Sequence, residues 1–169
     1  MSKQENNFAY IDGNNLYRGV HDSKWKIDFF RFRRWLSDKY KVTKAYYFIG
    51  LIPKNKDLYT SLQESGFTLI FKEVVYYGQG CPKGNCDTDL VLQSVKDVYE
   101  KNCDAQVIVT SDGDYSSLIK FLQEKNHLKV ILSPGNKNKC SILLKRTSAP
   151  ITYLEEIKNK LALKRKNPR

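Results

Sequence analysis

Short apolar, β-branched and aromatic runs alternate along this chain with longer stretches of helical periodicity. Phe8-Ala9-Tyr10-Ile11 predicts a strand over 8–12 that ends in Asp12, after a polar and disordered stretch over 1–7. Residues 27–40 read as a helix. Phe30, Arg34 and Ser37 share one face there, and Ile27, Phe29, Phe32, Trp35 and Leu36 supply apolar contacts. Strands follow over 42–49 and 67–71, with a helix over 55–64 that stops at Gly66. Residues 74–85, with Gly78, Gly80, Pro82 and Gly84, read as a loop or irregular hairpin long enough to be functional. Leu90, Val91, Val95 and Val98 place a helix over 87–100, ahead of a strand over 105–110. A helix over 114–125 directs Leu118, Ile119 and Leu122 inward, and a fifth strand covers 128–132. Pro134-Gly135-Asn136 breaks the chain before a short helix near 140–146, and 151–160 supplies a last short strand or helix.

Strands alternating with helices predict a parallel sheet with helices on both faces. The length of 169 residues fits one domain with a hydrophobic core, and no internal repeat or linker divides it. No apolar run is long enough to span a bilayer and no leader pattern opens the chain, so the expectation is a cytoplasmic protein without a membrane partner. Cys81, Cys86, Cys103 and Cys140 are too few for a disulfide scaffold in a chain of this size.

Charge changes the picture. The formal net charge is +11, concentrated in Arg31-Phe-Arg33-Arg34-Trp35, Lys137-Asn-Lys139, Lys145-Arg146 and the tail from Lys164 to Arg169. An excess of that size points to a polyanionic partner, most simply nucleic acid, although a solvated basic face would give the same count.

Against this basic background stand tight acidic motifs: Asp12, the pair Asp87 and Asp89, and the pair Asp112 and Asp114. Asp22 and Asp28 are looser and incidental. Asp12 and Asp112 each follow a buried-strand pattern, and ligands bind at the carboxyl ends of such strands. If the strands over 8–12 and 105–110 are neighbours, the crevice between them is a switch point, and a helix starting at Asp87 carries its acids over it. Carboxylates gathered there repel one another unless a cation intervenes. Oxygen donors suit a hard ion such as Mg²⁺. Each acid also has a plainer reading. Asp114 alone is better read as an N-cap, and Asp87 and Asp89 serve equally well as a cap and a helix-dipole partner. Asp12 differs, because an aspartate closing a buried strand needs a partner; Asn14 and Asn15 are the nearest.

Other motifs fail. There is no phosphate loop and no dinucleotide fingerprint. Asp112-Gly113-Asp114 opens like a calcium loop, but Ser117 and Gln123 occupy positions where that loop needs Gly and Glu. Cys81 and Cys86 are spaced too widely for a zinc knuckle.

Three segments together are similar to the signatures of the NYN domain, in its LabA-like branch within the PIN-like nuclease superfamily. They are Tyr-Ile-Asp12-Gly-Asn14-Asn15-Leu, Lys83-Gly84-Asn85-Cys86-Asp87-Thr-Asp89-Leu-Val-Leu, and Val-Thr110-Ser111-Asp112-Gly113-Asp114-Tyr115. The resemblance implies a single-domain PIN-like three-layer α/β/α sandwich with a mostly parallel central sheet over 8–160, followed by a basic tail over 161–169. It implies metal-dependent hydrolysis of RNA. Asp12, Asp87, Asp112 and Asp114 would be catalytic and would hold one or two Mg²⁺ or Mn²⁺ ions, with Asp89 a further metal candidate at a less strict position. Asn14, Asn15 and Ser111 would support them. Tyr115 stands where the family has Phe, and Gln93 occupies a turn where some members carry another acid.

On this layout Lys83, Lys137, Lys139 and Arg146 form a basic rim, and Tyr76, Tyr77 and Tyr115 are candidates to stack on unpaired bases, which favours single-stranded RNA. A homo-oligomer is left open. The rival expectation is a non-catalytic PIN-like module that binds RNA or a protein, against which the intact carboxylate set argues. A phosphatase-like domain using Asp87 and Asp89 lacks a nucleophile motif.

Overall fold

The computed structural model describes residues 4–77, 81–83 and 86–164. The side chains of Tyr76, Tyr77 and Lys83, and the tail beyond Lys164, lie outside that description. β1 (Asn7–Asp12) opens the fold, followed by α1 (Gly13–Asp22), α2 (Phe29–Tyr40), β2 (Val42–Leu51), α3 (Lys56–Glu64) and β3 (Thr68–Glu73). A two-stranded antiparallel ribbon, β4 (Val75–Tyr77) with β5 (Cys81–Lys83), interrupts the α/β alternation, as the glycine-rich segment predicts. Then come α4 (Asp87–Tyr99), β6 (Gln106–Val109), a 3₁₀ turn over Gly113–Tyr115, α5 (Ser116–Glu124), β7 (Leu128–Ser133), α6 (Ile142–Lys145), β8 (Ile151–Tyr153) and α7 (Lys158–Leu161).

Six strands form one sheet in the order β3-β2-β1-β6-β7-β8, and every pairing is parallel. The chain builds outward from β1 to β3, then returns through α4 to lay β6 on the other side of β1. The crevice between β1 and β6 is therefore the switch point of a doubly wound sheet.

Alternation along the strands divides the core. Ala9, Ile11, Tyr47, Val107, Val109 and Leu132 face a cluster completed by Leu16, Val20, Phe32, Leu36, Leu62 and Leu161. Phe8, Tyr10, Phe48, Ile108 and Ile131 face the opposite cluster with Leu90, Leu118, Ile119, Leu122 and Leu144. One layer is thus α1, α2, α3 and α7, and the other α4, α5 and α6. Strands buried on both faces read as continuous apolar runs, which is why these were visible in the sequence.

Order starts earlier than expected. Asn7 lies within β1, and Asn6 N–H donates to Asp104 Oδ2 at 2.8 Å. It also runs into the expected tail: Leu161 is buried, and Leu163 N–H donates to Lys26 O at 2.9 Å. α4 is fixed over β1 by buried Asp97, which accepts from Tyr10 Oη at 2.7 Å, from Gln93 at 3.1 Å and from Asn102 at 2.8 Å. That anchor sets where the first turn of α4, and so Asp87, comes to rest. Among the described residues no helix is long and apolar enough to cross a membrane.

Candidate metal centre and its groove

Asp12 closes β1 and caps α1, its Oδ1 accepting the Asn15 N–H at 3.0 Å. The turn is sharp enough that a Cβ on Gly13 would collide with the Tyr47 ring and the Phe48 carbonyl, so only glycine lets α1 begin directly at the sheet. Across the crevice, Thr110-Ser111-Asp112 continues from β6. Asp112 caps the 3₁₀ turn by accepting the Asp114 N–H at 3.0 Å, while its own N–H donates to Thr110 Oγ1 at 3.1 Å. Gly113 has an ordinary φ; a Cβ there would strike Ser141 Oγ and press on Leu143, so close approach of the α6 segment, not a positive φ, explains the glycine.

One carboxylate oxygen each from Asp87, Asp112 and Asp114 lies within 4.8 Å of the others, with Asp87 and Asp112 half-buried and Asp114 exposed. Three oxygen donors at that spacing fit a hard divalent ion. Asp12 stands just behind this trio. The Tyr115 hydroxyl links them: it donates to Asp87 Oδ1 at 2.6 Å and to Asp12 Oδ2 at 3.3 Å. Burial pushes the Asp12 carboxyl up to about 6, against the pull of the Asn15 N–H, and the charge on Asp87 adds to the rise. Cys86, beside the cluster, has its thiol pushed up to about 11 by burial and by Asp12, so without a metal it is a neutral thiol at neutral pH.

Asn15 and Ser111 join the two sides of the crevice. Asn15 Oδ1 accepts from the Ser111 N–H at 2.8 Å and from Ser111 Oγ at 2.9 Å. Asn14 is exposed and lines the groove above Asp12.

Two expectations are corrected. Asp89 is not in the cluster: it pairs with Lys72 at 3.1 Å and faces a separate cavity with Phe71, Leu92 and Lys96. Residues two positions apart on a helix point in different directions, and here Asp87 and Asp89 diverge accordingly. Tyr115 is not a base platform, because it is 1% exposed and packed among Leu118, Ile119 and Leu144. Its phenol, driven well above its ordinary value by burial and by Asp12, stays a hydrogen-bond donor.

Lys137, Lys139 and Arg146 are all exposed. Lys139 comes 4.0 Å from Asp22 at the end of α1, and α6, which Arg146 caps, packs on the Gly113–Tyr115 turn. Sequence reasoning missed α1 altogether, and with it Tyr17, Arg18 and His21. These line, with Lys26, a groove of about 930 Å³ that also contains Asp12, Asp87 and Asp112.

An all-parallel sandwich with carboxylates gathered at its switch point is consistent with the PIN-like class of proteins. The chain belongs to the NYN domain family, which matches residues 9–154. That family sits among the PIN-like nucleases, and it implies an RNA substrate. A solved structure described as a protein of unknown function, VPA0982 from Vibrio parahaemolyticus, is similar with a TM-score of 0.75. It is 20% identical, with 96% of this chain and 100% of that one covered, and at that identity the likeness speaks for the fold alone. No curated protein matches the chain.

Proposed function

We propose that the protein is a metal-dependent ribonuclease that hydrolyses phosphodiester bonds of single-stranded RNA with Mg²⁺ or Mn²⁺. The observation that carries this is the meeting of Asp87, Asp112 and Asp114 oxygens within 4.8 Å at the switch-point crevice. These three would hold the ion. A divalent cation bound there supplies an activated water at neutral pH and stabilises charge on the attacked phosphate.

The remaining residues position. Asn15 and Ser111 hold the two walls at fixed separation. The Tyr115 hydroxyl orients Asp87 and keeps a proton between two carboxylates that otherwise repel. Asp12 fixes the start of α1, and with it the groove. The net charge of +11 draws a polyanion toward an acidic centre that would repel it if bare.

The test is labelled single-stranded RNA incubated with Mn²⁺ or Mg²⁺ and then with EDTA. Cleavage that EDTA and Asp112→Asn both abolish is the expected result. RNA binding without cleavage under either ion would leave a binding module and sink the nuclease reading.

A further inference from the structure

The acidic centre accounts for only part of its groove. The rest of the lining includes Trp25, Ile27, Phe29, Ile49 and Leu58, an apolar wall that a hydrated phosphate chain has no use for. Unpaired bases do: they present flat apolar faces, whereas paired bases keep theirs inside the helix. Tyr17, on α1, is 61% exposed and lines the same groove. A single exposed tyrosine is ordinary. This one has one face stacked on His21, at 5.5 Å between centroids and 25° between planes, which leaves its other face open. Arg18 and Lys26 line the groove too and bring the charge that phosphates between bases require.

We propose that this groove binds an unpaired segment of RNA, one base stacking on the open face of Tyr17 and flanking phosphates meeting Arg18 and Lys26. The adjoining phosphodiester is thereby delivered to Asp87 and Asp112. Only that last step rests on the ribonuclease reading; the binding does not. Along its length a duplex offers Tyr17 no base face, so the groove itself favours single strands. The role first expected of Tyr115 passes to Tyr17.

The experiment measures affinity of the full chain for a short fluorescent single-stranded RNA, and for the same strand in a blunt duplex, by anisotropy in EDTA. Tyr17→Ala should weaken the single strand by roughly 5- to 150-fold, the usual worth of one base–aromatic stack. Tyr17→Phe should bind close to wild type, and the duplex should be indifferent to both. Changing Arg18 and Lys26 together to Gln should flatten the salt dependence by about 0.7 in log–log slope per lost contact. In a Trp35→Phe background, the remaining Trp25 should change in fluorescence when the single strand binds. Tyr17→Ala that binds the single strand like wild type, or loses single strand and duplex equally, would overturn the proposal. Cleavage with an unchanged KM in Tyr17→Ala would sink the groove and leave the nuclease; Tyr17-dependent binding without cleavage under Mn²⁺ would sink the nuclease and leave the groove.

Discussion

Replacing Asp12 with asparagine should make the metal-free protein more stable at alkaline pH, and the gain should fade on acidification. Asp12 is 7% exposed, and its carboxyl is raised from 3.8 to about 6 by burial and by the nearby Asp87 charge. A group raised in this way holds its proton longer in the folded than in the unfolded chain. Its contribution is therefore complete below pH 3.8 and is lost as the pH climbs through 6. Ionised Asp12 then costs the fold about 3 kcal/mol. Asparagine keeps the Oδ1 acceptor for the Asn15 N–H and can offer its amide to Tyr115 Oη. The charge-assisted character of those bonds, which asparagine forfeits, is already contained in the value of about 6. The gain of about 3 kcal/mol corresponds to roughly 6–12 °C in a chain of this size. Thermal unfolding of both proteins in EDTA, from about pH 4 to about pH 8, measures it. The difference should be largest at the alkaline end and vanish or reverse near pH 4. A variant less stable than wild type at about pH 8, or a difference that does not change with pH, would refute the account of a strained Asp12 carboxylate. Added Mn²⁺ should narrow the gap by stabilising wild type more.

Tyr115→Phe removes the hydroxyl that Asp87 and Asp12 share while keeping the ring in its cluster; it should leave the fold intact, lower cleavage, and raise the Mn²⁺ concentration needed for half-maximal activity, read in a metal titration. Asp89→Asn should leave cleavage unchanged and cost stability of about 0–1 kcal/mol, since its partner Lys72 is partly exposed; loss of activity in that variant would restore Asp89 to the site. Gly113→Ala should destabilise by pushing Ser141 and Leu143 away from the turn, and should misplace Asp114, so that activity falls further than melting temperature alone accounts for. RNA affinity of wild type in EDTA should fall with salt at about 0.7 in log–log slope per phosphate contact; indifference to salt would remove the electrostatic case for nucleic acid.

The strands were legible because both faces of a parallel sheet are buried. Val107-Ile108-Val109 and Phe8-Ala9-Tyr10-Ile11 leave no polar face to confuse the pattern. α1 was not legible, for the same reason in reverse. Its buried positions are Gly13, Leu16 and Val20, and only two of these are large and apolar, set among Asn14, Asn15, Tyr17, Arg18 and His21. A helix whose outer face lines a groove carries little of the core's signature. The groove residues were lost with it. Tyr115 was misplaced because the loop-like Ser-Asp-Gly-Asp run hides the 3₁₀ turn that points its ring inward. The separation of Asp87 from Asp89 was within reach of the sequence, since a helix beginning at Asp87 already sends residues two apart to different faces.

For several of these acids, capping and metal binding are not competing readings. A carboxylate has two oxygens and room for several partners. Asp112 accepts the Asp114 N–H on Oδ1, Asp12 accepts the Asn15 N–H on Oδ1, and Asp87 takes the Tyr115 hydroxyl on Oδ1. Each bond orients its side chain and offsets part of the repulsion in the crevice without a metal. The positive ends of α1 and α4 act in the same sense, since both helices begin at the crevice. The fold can therefore assemble its acidic trio first and receive an ion afterwards. Asp12 differs because it is the most deeply buried of the set, with Asn15 N–H on Oδ1 and the Tyr115 hydroxyl on Oδ2. Three carboxylates thus meet at one point, and the fourth is linked to them through Tyr115. That arrangement is why Asp12→Asn probes stability most directly and Asp112→Asn probes the centre itself.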